Sequence, residues 1–175
     1  MEEILKQMEK NMMNVAVAAV ISSRSSAQGI AIAEKFGVPV HVYDYKTLGR
    51  DVAENQIMKL LEEMNPSAIV LAGFMKILSG DFVQKFANRI INIHPSLLPS
   101  FKGGNAIEDA MKFGVKVTGV TIHLVTERVD EGEILFQCPV LIDETETIEN
   151  LATKIHKIEH KNYWKVINQF LTERA

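Results

Sequence analysis

Two side chains that can polarise a carbonyl group stand two residues apart at the end of an apolar segment. Asn92 and His94 follow Ile-Ile, and side chains two apart on a strand share one face of the sheet. An amide and an imidazole placed in this way can hold the negative charge that develops on a carbonyl oxygen under attack. Imidazole titrates near neutral pH, so modest stabilisation of its cation keeps it a donor. Taken alone, this spacing is more often the hydrogen-bonded polar end of an ordinary strand.

A polar turn between two apolar segments offers a carboxylate partner. Residues 126–133 read Thr-Glu-Arg-Val-Asp-Glu-Gly-Glu. A carboxylate from this turn can pair with His94, stabilise its cation, and accept a proton from an attacking amine directly or through water. On the local sequence alone, a solvated acidic hairpin is the simpler interpretation. Thr121 and His123 alternate along the preceding segment, where we expect either a buried, hydrogen-bonded histidine or a role supporting the site.

Other chemistries have little support in the sequence. His156 and His160 are four apart on a predicted helix, but the H-E-x-x-H pattern is absent, so we predict no metal. Cys138 is the only cysteine, which excludes an intramolecular disulfide and a cysteine-based zinc site. The sequence contains no Walker loop, Gly-x-Gly-x-x-Gly or Gly-x-Ser-x-Gly, and Lys102-Gly103-Gly104 is only a weak signal for an anion site.

The composition is that of one soluble globular domain, which we place at residues 1–175. Hydrophobic residues make up 47% and charged residues 23%, with a formal net charge of -3. This charge provides no overall attraction for nucleic acid or an anionic membrane. The sequence has no bilayer-length apolar run and no secretory pattern after Met-Glu-Glu, so we expect a cytoplasmic protein.

The elements that must position these residues alternate between strand and helix patterns. Near-continuous apolar runs predict strands buried on both faces, as in a parallel sheet, and the last two runs suit mixed or antiparallel pairing. This order predicts an α/β fold with a mainly parallel sheet, whose ligands lie outside the carboxyl ends of the strands. The predicted strands are 14–22, 68–74, 89–94, 117–125 and 133–142, and the predicted helices are 2–11, 25–36, 48–64, 81–87, 104–113 and 147–172.

Taken together, several ordered motifs resemble the phosphoribosylglycinamide formyltransferase family. The motifs lie at 71–78, 92–99, 100–103, 117–123 and 129–132, and the resemblance runs from about residue 12 to about residue 168. It implies a Rossmann-like formyltransferase fold with a mainly parallel sheet flanked by helices. It also implies transfer of a formyl group from 10-formyltetrahydrofolate to the amine of 5-phosphoribosylglycinamide, a step of purine synthesis, without a metal.

The resemblance assigns roles to individual positions. Asn92 and His94 would stabilise the oxyanion, with His94 as proton donor, while Asp130 would sustain the charged imidazole and help to move the amine proton. Thr121 and His123 would support them. Lys76 stands where arginine is commoner in the family. The implied folate contacts are Arg50, Met75, Lys76, Ile77, Leu78, Asn92, Thr126, Glu127, Arg128, Val129 and Asp130, and the implied ribonucleotide contacts are Gly73, Pro95, His156, Lys157, Ile158 and Glu159.

One departure from the family pattern leads to further expectations. Family members begin with a buried strand and a glycine-rich phosphate loop, whereas this sequence begins at the helix that should follow them. We therefore expect unpaired backbone groups in the sheet and weak binding of the ribonucleotide phosphate. Formyltetrahydrofolate hydrolase, methionyl-tRNA formyltransferase and a catalytically silent folate- or partner-binding homologue remain alternatives. The sequence leaves open whether the protein is a monomer or a homodimer.

Overall fold

The strands form two sheets. The computed structural model describes residues 1–174. β1 (Val20–Ser22) pairs in parallel with β2 (Val40–Val42). The second sheet has the order β3 (Ile69–Val70), β4 (Ile90–His94), β5 (Val117–Leu124), β6 (Ile134–Leu141), with β3 and β4 parallel and the other two pairs antiparallel.

Seven helices surround these sheets within residues 1–174. Side-chain oxygens of Asp44, Ser79 and Thr147 accept backbone N–H bonds in the first turns of the helices that they precede, so the sequence itself fixes where these helices begin. No helix in this part of the chain is both long and apolar enough to cross a bilayer. The helices are α1 (Glu2–Glu9), α2 (Gln28–Lys35), α3 (Tyr45–Leu48), α4 (Arg50–Met64), α5 (Gly80–Lys85), α6 (Ala106–Phe113) and α7 (Ile148–Thr172).

The predicted α/β class is confirmed, and the boundaries differ at identifiable places. The predicted strand 14–22 is paired only over 20–22, and the predicted strand 68–74 only over 69–70. The predicted helix 48–64 starts at Arg50, because Gly49 adopts a positive φ of 76° that separates α3 from α4. β2 was not predicted, since its three residues follow Pro39 in a segment too short for a periodic pattern.

Strand β4 lies at the centre of the core. Ile90 packs with Phe82 and Phe86 on one side, whereas Ile91 packs with Ile122 and α7 on the other. Both isoleucines are fully buried, which explains why β4 is a continuous apolar run in the sequence. Because the core packs against both faces of β4, it fixes the position of the carboxyl end of this strand, where Asn92 and His94 lie.

Candidate active site

The antiparallel pairing of β4 with β5 gathers four of the predicted site residues. Asn92 stands opposite His123, and His94 stands opposite Thr121. Opposed residues in an antiparallel ladder point to the same face, so the amide, the hydroxyl and both imidazoles share one surface. His94, Thr121 and His123 are each at most 4% exposed.

Asp130 joins this group from the turn after β5. Its Oδ2 lies 3.6 Å from His94 Nδ1 and its Oδ1 lies 3.6 Å from His123 Nε2, which are ion-pair rather than hydrogen-bond distances. The Gly103 N–H donates to Asp130 Oδ2 at 2.8 Å. Burial raises the pKa of Asp130, but the contact with His123, the Gly103 N–H and the charge of His94 outweigh it, so the pKa lies below its ordinary value. The turn therefore presents a carboxylate anion to both imidazoles.

Backbone carbonyls set the orientation of the two imidazole rings. His94 Nε2 lies 2.8 Å from the Phe101 carbonyl, and His123 Nδ1 lies 2.8 Å from the Leu124 carbonyl. A carbonyl only accepts, so we assign a proton to each of these nitrogens. With this assignment His94 turns Nδ1 toward Asp130. His123 turns Nε2 toward Asn92, whose Nδ2 is 3.3 Å away.

Thr121 holds the loop that follows β4. Its hydroxyl donates to the Ser96 carbonyl at 2.6 Å and accepts from the Leu98 N–H at 3.0 Å. Gln137 Nε2 donates both to Thr121 Oγ1 at 3.0 Å and to the Leu98 carbonyl at 2.9 Å. This loop leads to Phe101, the acceptor for His94. Gln137 was not predicted, because a polar residue in an alternating strand carries no signal of its partners.

Gly132 closes the turn that carries Asp130. A Cβ added at Gly132 would lie 1.7 Å from the Leu124 carbonyl oxygen, so only glycine permits the backbone to approach so closely. The same carbonyl orients His123. The approach of Gly132 to β5 therefore links the shape of the turn to the orientation of a site histidine.

A cleft of about 310 Å³ lies beside β4, where Ile93 lines it, and the polar cluster itself is not part of its lining. Gly73, Ile93, His156 and Glu159 line it, which brings together three of the six predicted ribonucleotide contacts. Burial raises the pKa of Glu159, and the charges of His156 and His160 oppose that shift only in part. The hydroxyl of Tyr163 donates toward the Leu71 and Ile91 carbonyls at 2.8 and 3.0 Å, which ties the end of β3 and the start of β4 to α7.

The structure does not bring the other predicted ribonucleotide contacts into the cleft. Ile158 packs against the buried cluster around Ile155, because it falls on the inward face of α7. Lys157 is exposed on another face of the helix, and Pro95 does not line the cleft. Three positions of the predicted set therefore lie apart from Gly73, His156 and Glu159.

The predicted folate contacts form two adjacent segments, 75–78 and 126–130. Three of their apolar side chains are exposed, at 77% for Met75, 65% for Ile77 and 44% for Val129. Leu78, at the end of the first segment, and Val125, just before the second, pack on the same buried cluster around Ile90, so one part of the core supports both segments. Lys76 is exposed, Thr126 Oγ1 donates to the Arg128 carbonyl at 3.2 Å, Glu127 Oε1 accepts from Gln84 Nε2 at 2.8 Å, and Arg128 lies 3.6 Å from Glu131.

Arg50 lies at the first residue of α4, near the end of the 75–78 segment. Its Nε donates to Glu54 Oε1 at 3.2 Å, and Glu54 Oε2 accepts from the Ser79 N–H at 3.1 Å. The structure thus places a half-exposed guanidinium near the end of the predicted 75–78 folate segment, linked to it through Glu54. Across residues 1–174, no group of three His, Cys, Asp or Glu side chains has the geometry to hold a metal ion.

Comparisons with known proteins give a consistent result. Residues 1–167 match the family model described as formyl transferase. The chain is 37% identical over 171 residues to phosphoribosylglycinamide formyltransferase from Bacillus subtilis strain 168, which covers 97% of this chain and 88% of that protein. It is 40% identical over 164 residues to the trifunctional purine biosynthetic protein adenosine-3 from Gallus gallus, covering 93% of this chain but only 16% of that protein.

A solved structure agrees with these sequence relatives. Glycinamide ribonucleotide transformylase 1 from Symbiobacterium toebii superposes with a TM-score of 0.93 at 37% identity, and the match covers 99% of this chain and 82% of that one.

Proposed function

This chain belongs to the formyl transferase family, and from that premise we propose that it transfers a formyl group from 10-formyltetrahydrofolate to the amine of 5-phosphoribosylglycinamide, a step of purine synthesis. The observation that carries the proposal is the convergence of Asn92, His94 and Asp130, from two separate segments, on one buried polar surface. An amide, an imidazole and a carboxylate are the groups that attack of an amine on a formyl carbon requires.

We assign the chemical roles as follows. The Asn92 amide and the His94 N–H hold the negative charge on the formyl oxygen as the amine forms its new C–N bond. The Asp130 carboxylate stabilises positive charge on His94 and receives the amine proton, directly or through water. Because His94 Nε2 contacts the Phe101 carbonyl at 2.8 Å in this structure, binding of the donor must exchange that hydrogen bond for one to the formyl oxygen. The bond from the formyl carbon to the folate nitrogen then breaks, and the proton passes to that nitrogen.

The surroundings suit the two proposed substrates. Exposed Met75, Ile77 and Val129 offer apolar cover for a flat pterin ring, and the Arg50 guanidinium suits a carboxylate at the far end of a folate. Gly73, His156 and Glu159 offer polar contacts for a ribonucleotide in the adjoining cleft. The formyl donor is already an activated carbonyl, so the proposed reaction needs no metal. We also propose that the protein acts in the cytoplasm and binds no nucleic acid.

The proposal is tested by following tetrahydrofolate formation from 10-formyltetrahydrofolate with and without 5-phosphoribosylglycinamide. We expect product only when the amine is present, together with formylated ribonucleotide detected by mass spectrometry. Formate release without the amine would instead identify a formyltetrahydrofolate hydrolase. Folate binding without either product would identify a catalytically silent homologue.

A matched pair of variants connects the activity to the site. Asn92→Ala should reduce kcat by about 10²–10³-fold, the usual cost of one oxyanion donor. Asn150→Ala changes an exposed residue in the first turn of α7, outside the buried polar surface, and should retain the activity of the original protein. Equal activity of the two variants would refute the assignment of Asn92.

A further inference from the structure

Glu54 is a buried carboxylate that the proposed chemistry does not use. Its residue is 2% exposed and lies on the inward face of α4 together with Ala53, Ile57 and Leu61. A carboxylate loses its hydration when it is buried, so it is normally retained only with charged or hydrogen-bonding partners. Its partners therefore indicate what it holds in place.

Those partners belong to two parts of the proposed folate site. Glu54 Oε1 accepts from Arg50 Nε at 3.2 Å, which leaves the two terminal nitrogens of this half-exposed guanidinium available for a carboxylate. Glu54 Oε2 accepts from the Ser79 N–H at 3.1 Å. Ser79 is the residue at which the 73–78 loop ends and α5 begins. One carboxylate thus fixes both the cation and one end of the loop.

Tyr45 extends this arrangement to the other end of the loop. Its hydroxyl lies 3.5 Å from Glu54 Oε1, and its ring packs edge-on against Phe74 with 6.2 Å between centroids. Between Phe74 and Ser79 the exposed side chains of Met75 and Ile77 project from the loop. The loop is therefore supported at both ends, directly or through Tyr45, by the group that holds Arg50.

We propose that Glu54 is a positioning residue for the folate donor. Its carboxylate sets the distance between the 73–78 loop, which covers the pterin ring of the folate, and the Arg50 guanidinium, which receives the anionic tail of the folate. A ligand that spans both is bound tightly only while these two parts keep their separation. This inference rests on the proposed function, since it requires that the loop and Arg50 bind the same folate.

The test compares Glu54→Gln with a matched change on the same helix. Glu54→Gln keeps the size of the side chain but loses its charge, and it replaces one of the two oxygens that accept from Arg50 and Ser79 by an NH₂ group, which can only donate. We expect the Kd for tetrahydrofolate to rise about tenfold, as for one lost charge-assisted hydrogen bond, with the KM for the ribonucleotide unchanged. Glu62→Gln removes a carboxylate that pairs with Lys85 at 2.6 Å away from the loop and should bind tetrahydrofolate normally.

A second ligand separates positioning from general stability. Tetrahydropteroate has the ring but lacks the glutamate tail, so the original protein should bind it more weakly than tetrahydrofolate. In Glu54→Gln that difference should shrink at least threefold, because Arg50 no longer meets the tail at the right place. A lower melting temperature with unchanged affinity for both ligands would show that Glu54 is merely structural and would overturn the inference.

A more conservative variant keeps the inference testable if Glu54→Gln does not fold. Glu54→Asp retains the charge but is one methylene shorter, so it cannot reach both Arg50 and Ser79. It should bind tetrahydrofolate more weakly than the original protein, and equal affinity would overturn the inference. Failure of the original protein itself to bind tetrahydrofolate would instead refute the proposed function.

Discussion

Replacing Gly132 by alanine should damage both the fold and the chemistry. The added Cβ would lie 1.7 Å from the Leu124 carbonyl oxygen, well inside any real contact, and a backbone atom cannot rotate away as a side chain does. Overpacking normally costs about 1–3 kcal/mol, so we expect the free energy of unfolding to fall by at least about 3 kcal/mol here. The Leu124 carbonyl also orients His123, 2.8 Å away. A displacement of about 1 Å at the site should lower kcat by about 100-fold.

Two other glycines serve as controls in urea unfolding followed by circular dichroism. A Cβ at Gly104 would meet open space, so Gly104→Ala should change the free energy of unfolding by less than about 0.5 kcal/mol. Gly114 has a φ of 81° and also faces open space, so Gly114→Ala should cost about 1–2 kcal/mol from backbone strain alone. The order Gly104, Gly114, Gly132 is the expected result. If Gly132→Ala were as stable as Gly104→Ala, and as active as the original protein, the steric reasoning would be wrong.

Three further changes follow from buried polar groups. The Thr118 hydroxyl has no hydrogen-bond partner among the described residues, and Thr118 is 1% exposed. Removing this unpaired hydroxyl in Thr118→Val should raise the free energy of unfolding, measured in urea, by about 1 kcal/mol. A loss of stability would contradict this prediction. The pKa of Asp130 is lower in the folded protein than in the unfolded chain. Its charge therefore stabilises the fold fully at pH values above the ordinary aspartate pKa of about 3.9, and this stabilisation is lost as the pH falls through the lowered pKa. Asp130→Asn should therefore flatten the acid side of the Tm profile and lower kcat by about 10²–10⁴-fold; an unchanged profile with full activity would refute both. Burial raises the pKa of Glu159, so the folded protein binds this proton more tightly than the unfolded chain, and its contribution to stability grows as the pH falls through the raised value. Glu159→Gln should remove that part of the pH dependence of Tm, and persistence of the full dependence would assign it to another group.

The part of the fold that the sequence predicted best is the part whose burial leaves a periodic pattern. Strand β4 is buried on both faces and appears as a continuous apolar run, while α7 shows an apolar stripe at helical spacing. The paired lengths of β1 and β3 were overestimated, because apolar character reports burial rather than the presence of a hydrogen-bonding neighbour.

The sequence could indicate only those parts of the candidate site that are built from side chains. Asn92 and His94 stood out by type and spacing, and the choice of Asp130 among several acids of its turn came from the family resemblance. The Phe101 carbonyl and the Gly103 N–H are backbone groups, which any residue supplies, so no sequence signal marks them. Glu54 was missed for a related reason: a hydropathy pattern assigns a charged residue to the outside of a helix, whereas its pairing with Arg50 and Ser79 keeps it buried.

The division of the strands into two sheets has a consequence for slow local motion. Within residues 1–174, no backbone ladder joins β1–β2 to β3–β6, and contact between them depends on side chains such as Ile21, which packs on the buried cluster that contains Ile90. Amide protons of Val20–Ser22 and Val40–Val42 should thus exchange with deuterium through a local opening that has a lower free energy than the opening that exposes Ile90–His94. The part of the molecule that holds His94, the proposed catalytic imidazole, would stay closed while the smaller sheet opens and recloses beside it.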